Sequence, residues 1–196
     1  SYVLRFDMLS DLMDGGTFLL KSIWSPDEMD KQLPAKMKNQ IAKKHIKFYT
    51  LDGLDVITKL GASKGVNTVM QAAFFKLANV IPYADAEKYM KEAIKKTYGR
   101  KGDAGVKMNC DCIDNAIANL KEVNYPESWA TTTSGADPLP VPDDEYYKTF
   151  VAPITAQEGD KLPVSAFSPD GVVPTGTTKF EKRGIAVNVP EWIVDN

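Results

Sequence analysis

The stretch GASKGVNT, Gly61 to Thr68, is where this sequence comes closest to ligand chemistry. Two glycines flank Ser63 and Lys64, and an apolar helical pattern begins directly after them. A helix N-terminus offers unpaired N–H groups and a partial positive charge, so a phosphate beside Lys64 is chemically reasonable. The spacing is neither that of a P-loop nor that of a dinucleotide-binding GxGxxG. A plain capping loop with Asn67 as N-cap accounts for the same residues. Asn67 and Gln71 follow one helical turn apart, two amides on an apolar helix. Buried amides need hydrogen-bond partners. Such a pair either bridges to a neighbouring loop or reaches a ligand.

Other reactive side chains are few. Cys110 and Cys112 stand two apart in a helical pattern. That spacing points their thiols roughly 200° apart, which disfavours a mutual disulfide and fits a reducing compartment. Two thiols and the single His45 cannot close a zinc site. The cysteines read as small buried helix residues. His45 reads as a solvated residue at a helix C-terminus. No Ser/His/Asp or Cys/His arrangement is present, so the residues themselves specify no self-sufficient catalytic site.

Those candidates must be positioned by recognisable elements. Thr17–Ser22 is a strand candidate after the turn Asp14-Gly15-Gly16. Ser25, Pro26 and Glu28 form a capping-box signature that opens a helical stretch. PAKMKNQIAKKH continues it with basic residues on the outer face, and Ile46–Asp52 is a second strand. LDVITKLG is a short helix that ends at Gly61. Apolar residues wrap most of Val66–Pro82, which predicts a buried helix. The next helix, closed by Gly99, places Tyr89, Met90, Ala93 and Ile94 on one face. A last helix runs from about Asp103 to Leu120.

The character changes near Lys121. Nine of the twelve prolines lie at or beyond Pro126, and Glu122–Glu145 holds six acids with no Lys or Arg. That composition predicts an extended linker. Order resumes near YYKTFVAPI, and Ala156–Asn196 is loop-rich. The overall charge of −2 disfavours nucleic acid and membrane surfaces as partners. No apolar run reaches the roughly 18 residues of a membrane span. Between Pro34 and Lys101, however, fourteen Lys or Arg face five Asp or Glu, a local net of +9. That stretch is either a solvated helical surface or a face for a polyanionic ligand or acidic partner.

Six blocks, in this order, resemble the pyruvate:ferredoxin (or flavodoxin) oxidoreductase family. DMLSDLMDGGTFLL, LPAKMKNQIAKKHIKFY, GVNTVMQAAFFKLANVIP and EAIKKTYGRKG are similar to the second half of its gamma domain. EGDKLPVSAFSPDG and PTGTTKFEKRGIAVNVPEW are similar to its small domain named for the Glu-Lys-Arg motif, here Glu181-Lys182-Arg183. Gly15, Gly16, Thr17 and Leu20 match the family's glycine turn and strand. Asn67 and Gln71 match its N-x-x-x-Q helix start. The family usually has Asn where this chain has Lys21, and Arg or Lys where it has Gly65.

The resemblance implies an α/β fold: a partial gamma domain (1–121) with a mixed sheet flanked by helices, an acidic Pro-rich linker (122–145), and a small irregular domain (146–196). It implies a fragment of a longer cytoplasmic enzyme, or one from a reducing anaerobic organelle, acting as a homodimer. That enzyme converts pyruvate and coenzyme A to acetyl-CoA, carbon dioxide and reduced ferredoxin or flavodoxin. Its thiamine diphosphate and 4Fe–4S clusters are held by domains outside this chain, so the chain alone is expected to bind neither and to be inactive. Lys64, Asn67 and Gln71 become candidate coenzyme A contacts. The alternatives are a purely structural interdomain module and the same role in a related 2-oxoacid oxidoreductase. The closing segment, Thr175–Trp192, is expected to be a strap that leads toward a ferredoxin-like domain.

Overall fold

The Gly15-Gly16 turn feeds the chain into β1 (Thr17–Lys21), which runs parallel to β2 (Lys47–Leu51) from the pair Thr17–Lys47 to the pair Lys21–Leu51. A computed structural model describes residues 2–137 and 139–180. The crossover between the strands holds α1 (Met29–Gln32) and α2 (Ala35–Lys43). It opens on the expected cap, where the Ser25 N–H and hydroxyl both donate to Glu28 Oε2, at 2.8 and 2.9 Å. After β2 come α3 (Gly53–Lys59), α4 (Val66–Ala78), α5 (Tyr83–Tyr98) and α6 (Asp103–Ala118). A two-residue strand β3 (Lys121–Glu122) returns antiparallel to β2, giving a mixed sheet in the order β1-β2-β3. The expected α/β class with a mixed sheet flanked by helices is thus what forms.

Strand alternation divides the core in two. Phe48 joins Met29, Leu33, Ile41 and Ile46 on one face of the sheet. Leu51 joins Val56, Ile57, Val69, Met90 and Ile113 on the other. Two compact units, Ser1–Pro138 and Leu139–Asn196, divide the chain.

Several local expectations need correction. Lys38 does not lie on a basic outer face of α2: its side chain is 1% exposed. The helix α4 is not buried all round. Val69, Ala72 and Ala73 are enclosed, but Phe74 is 54% exposed, because only the i, i+3, i+4 stripe meets α3 and α6. In α5 the enclosed stripe is Ala86, Met90 and Ile94, at a spacing of four, and Tyr89 and Ala93 face outward.

Glu122–Glu145 is not extended linker throughout. Val123 and Trp129 are core residues, and the Tyr125 hydroxyl donates to the Ile46 carbonyl at 2.7 Å. Asn39 Nδ2 donates to the carbonyls of Trp129 and Thr132, at 3.0 and 2.9 Å, and the Ala136 N–H donates to Leu33 O at 3.0 Å. Averaging over acids and prolines hid three large side chains that dock on α2 and its flanks.

The second unit has its own small aromatic centre. A π-helical turn, Tyr147–Val151, runs into α7 (Ala152–Thr155). Phe150 is buried there, stacked on Tyr146 and edge-on to Phe167. Three short 3-10 turns follow, at Gly159–Lys161, Val164–Ala166 and Thr177–Phe180. The Glu181-Lys182-Arg183 motif and most of the expected strap, including Trp192, lie outside the described residues.

Candidate functional site

The loop before α4 is shaped by two glycines. Gly61, at φ +69°, ends α3: its N–H donates to Thr58 O and the Ala62 N–H to Ile57 O, both at 2.9 Å. That pair of bonds is a Schellman closure. Gly65 then takes the N-cap position at φ +126°, a backbone state that disfavours side chains. A Cβ there would also lie 3.1 Å from Cys112 Sγ, so the buried thiol is the floor of this loop. Burial pushes that thiol's pKa up, with Asp111 adding to the shift, which leaves it unreactive.

Asn67 is therefore not the N-cap. It is the second residue of α4, and Lys64, Asn67 and Gln71 are all exposed. None of the three side chains makes a hydrogen bond among the described residues. The first ladder bond of α4 runs from Val69 N–H to Gly65 O at 3.1 Å, so the N–H groups of Val66, Asn67 and Thr68 precede the ladder. Lys64, the free N–H groups, Asn67 and Gln71 lie together at the start of one helix.

The buried amide of this region is Asn109. It is enclosed on α6, donates from Nδ2 to Gly105 O at 2.9 Å, and accepts from the Thr68 hydroxyl at 3.4 Å. Its side chain ties α6 to the first turn of α4. Nothing in its local sequence marks it, because the tie spans 41 positions.

A second feature escaped the sequence reading. At the C-terminal ends of β1 and β2 lies a cavity of about 230 Å³, bordered by Ser22, Trp24, Thr50, Asp52 and Lys121 among others. Open α/β sheets bind ligands at this end of their strands. The Ser22 N–H donates to Leu51 O at 3.2 Å, and the Trp24 N–H donates to Ser22 Oγ at 2.9 Å. Asp52 caps α3, its Oδ1 accepting from Leu54 and Asp55 N–H at 3.0 Å each. A carboxylate directly after a strand, three residues before Asp55, was the available signal. Lys64, Asn67 and Gln71 do not border this cavity. The two features share one end of the sheet, because a Cβ on Gly53, just after Asp52, would lie 3.1 Å from Val66 Cγ1.

The basic stretch is not one free cationic face. Lys36 pairs with Asp7 at 2.7 Å, Lys59 with Asp55 at 2.6 Å, and Lys91 with both Glu87 and Asp114, at 2.6 and 2.5 Å. The hydrogen bonds that Lys91 donates to Asp114 and Glu87 raise its pKa well above its ordinary value. Lys44 Nζ donates to the carbonyls of Leu9, Ser10 and Leu12 at 2.7 to 2.8 Å, fixing the loop before β1. Lys64 is in none of these pairs. His45 is exposed just past α2 in the left-handed region, at φ +52°. Among the described residues no group of three or more His, Cys, Asp or Glu is placed to hold a metal ion, and no helix is long and apolar enough to cross a membrane.

Comparison with known proteins adds a family to this geometry. Residues 2–119 match the family model described as pyruvate ferredoxin/flavodoxin oxidoreductase. Residues 136–186 match a second, the EKR domain, described as a domain of unknown function. A pyruvate:ferredoxin oxidoreductase of Moorella thermoacetica is 49% identical over 196 residues, which is 100% of this chain and 17% of the relative. A pyruvate-flavodoxin oxidoreductase of Klebsiella pneumoniae is 43% identical over 98% of this chain and 17% of its own length. The mitochondrial pyruvate dehydrogenase [NADP(+)] of Euglena gracilis is 38% identical over 100% of this chain and 11% of its own. The chain thus spans a sixth or less of the length of these relatives.

Proposed function

The chain belongs to the pyruvate ferredoxin/flavodoxin oxidoreductase family, and from that premise we propose that it works within an enzyme that oxidatively decarboxylates pyruvate with coenzyme A. The products are acetyl-CoA, carbon dioxide and a reduced ferredoxin or flavodoxin. The observation that carries this reading is the 49% identity to a pyruvate:ferredoxin oxidoreductase over the whole chain. In this reading residues 1–121 are the second half of a gamma domain. Residues from Tyr146 onward are a small EKR-type domain, supported by the match at 136–186. A homodimer in the cytoplasm or a reducing anaerobic organelle completes the reading.

Thiamine diphosphate and 4Fe–4S clusters supply carbanion and one-electron chemistry in such an enzyme. The residues of this chain do not fit a cluster. A 4Fe–4S centre takes four cysteine thiolates. This chain has two cysteines, both on α6, and Cys112 is closed beneath Gly65. Among the described residues no group of three or more His, Cys, Asp or Glu is placed to hold a metal ion.

Coenzyme A is different. It carries a pyrophosphate and a 3′-phosphate, which cations and helix N-termini bind. Lys64 pairs with a phosphate, the N–H groups of Val66 and Asn67 stand beside it, and the Asn67 and Gln71 amides bond polar groups of the ligand. The exposure of these three side chains, and the absence of an ion pair on Lys64 among the described residues, support this role. A second reading, an interdomain interaction module, is favoured by Phe74, more than half exposed on the same helix.

The experiment is pyruvate-dependent dye reduction by the enzyme that carries this chain, with and without coenzyme A. Turnover that requires both substrates is expected. Turnover on another 2-oxoacid but not on pyruvate would move the chain to a sibling activity.

A further inference from the structure

Thr50 borders the cavity at the C-terminal ends of β1 and β2 and is 2% exposed, yet its hydroxyl has no hydrogen-bond partner among the described residues. Buried polar groups are paired as a rule, and leaving one unpaired is costly. The cavity it borders is where a partner would stand.

The rest of the polar wall is rich in acceptors. Asp52 gives Oδ1 to the start of α3 and keeps Oδ2. Glu28 gives Oε2 to Ser25 and keeps Oε1. Asn119 donates from Nδ2 to Asn115 O at 2.8 Å and keeps its amide oxygen. Asp55 is neutralised by Lys59. The charges left over are two carboxylates, Asp52 and Glu28, against the single cation Lys121.

We infer that this cavity binds a guanidinium group. A guanidinium is a planar cation with five N–H donors and no acceptor, the complement of such a wall. It also stacks on aromatic rings, and Trp24 is part of the wall. A phosphate or carboxylate would face Asp52 and Glu28. An apolar ligand would leave Thr50 unpaired. At about 230 Å³ the cavity takes a head group and not a nucleotide, whose pocket is larger. This site is separate from the start of α4, and its failure would leave the coenzyme A reading untouched.

Amide and indole resonances of the full 196-residue chain are followed during titration with methylguanidinium chloride. Methylurea, a neutral molecule of the same shape, and sodium chloride serve as comparisons. The expected result is saturable shifts at Thr50 and Trp24 with methylguanidinium, and binding of methylurea at least tenfold weaker. Thr50→Val should weaken methylguanidinium binding roughly tenfold or more, the usual effect of removing a hydrogen bond to a charged group, and Thr50→Ser should retain it. N-acetyl-arginine amide separates the sources. Tighter binding than methylguanidinium assigns the group to an arginine of a protein segment, weaker binding to a free alkylguanidine, and both uphold the site. Shifts no larger than those with sodium chloride, or equal binding of methylurea, would overturn it and leave a cavity that holds water only. If Thr50→Val does not fold, the methylurea comparison on the unaltered chain decides alone.

Discussion

The indole N–H of Trp129 donates to Asp30 Oδ1 at 2.7 Å across 99 positions of sequence. The same oxygen accepts from Lys38 Nζ at 3.1 Å, and Nζ also donates to the Asp30 carbonyl at 2.8 Å. Lys38 Nζ stands 5.6 Å from the Trp129 ring centre. Three residues from α1, α2 and the segment after β3 thus close one knot over the first core.

Removing the indole should open that knot. Trp129→Ala deletes a side chain that is 3% exposed and leaves Asp30 with one partner fewer. Large-to-small changes of this kind cost about 3–5 kcal/mol. Urea unfolding of the chain should show it as a lower midpoint for the first unit. Trp129→Phe, which keeps most of the packing and loses one hydrogen bond, should cost about 1 kcal/mol beyond any packing change. A loss under about 1 kcal/mol for the alanine variant would contradict the docking described here.

The knot also makes stability depend on acid. The Lys38 hydrogen bond, then that of Trp129, holds the Asp30 carboxyl below its ordinary value of 3.8. A carboxylate depressed in the folded state stabilises fully above its unfolded pKa, and that contribution is lost as pH falls through the folded one. Stability should therefore be level above about pH 5 and fall below about pH 4. Asp30→Asn should flatten part of that fall. An unchanged acid slope in the asparagine variant would remove Asp30 from the account.

Much of the scaffold was legible in the sequence because its signals are local. Ser25, Pro26 and Glu28 announced a cap, Gly61 and Gly99 announced helix ends, and the strands were marked by the runs that begin at Thr17 and Ile46. What failed depends on contacts far apart in sequence. Trp129 looked like part of a polar linker because its partners, Asp30 and Asn39, are about a hundred residues away. Lys38 looked solvated because nothing local reveals that a lysine will lie under a tryptophan. Asn67 looked like a cap because asparagine suits that position, but Gly65 alone tolerates the φ the loop imposes. The Thr50 cavity arises where two strand ends meet, and neither strand displays it alone.

The docked part of the expected linker shifts where a protease should cut. Glu127 lies in the folded turn Glu127–Thr131, whereas Leu139 to Asp143 carry no regular structure and Val141 is exposed. Exposed, irregular backbone is cut first. A protease of broad specificity should therefore make its first cut between Leu139 and Asp143. First cleavage at Glu127 would return the whole of 122–145 to the linker it resembles by composition.

Gly65 should be intolerant of a side chain. Gly65→Ala places a Cβ at φ +126° and 3.1 Å from Cys112 Sγ. Strain at such a position costs about 1–3 kcal/mol. Thermal unfolding should register the loss, and Cys112→Ala in the same chain should recover the steric part alone. Full stability of Gly65→Ala would mean that the loop before α4 is not held as described.

The most direct test of the coenzyme A reading is the Michaelis constant for coenzyme A, measured beside that for pyruvate, in the enzyme carrying Lys64→Ala. Lys64 is exposed and in no ion pair among the described residues, so its removal should leave the fold intact. Loss of a charge-assisted contact worth about 1.5–3 kcal/mol corresponds to roughly tenfold to a hundredfold in affinity. The account predicts a coenzyme A constant raised by that factor and an unchanged pyruvate constant. An unchanged coenzyme A constant, or equal rises for both substrates, would contradict it and leave the start of α4 as a capping loop.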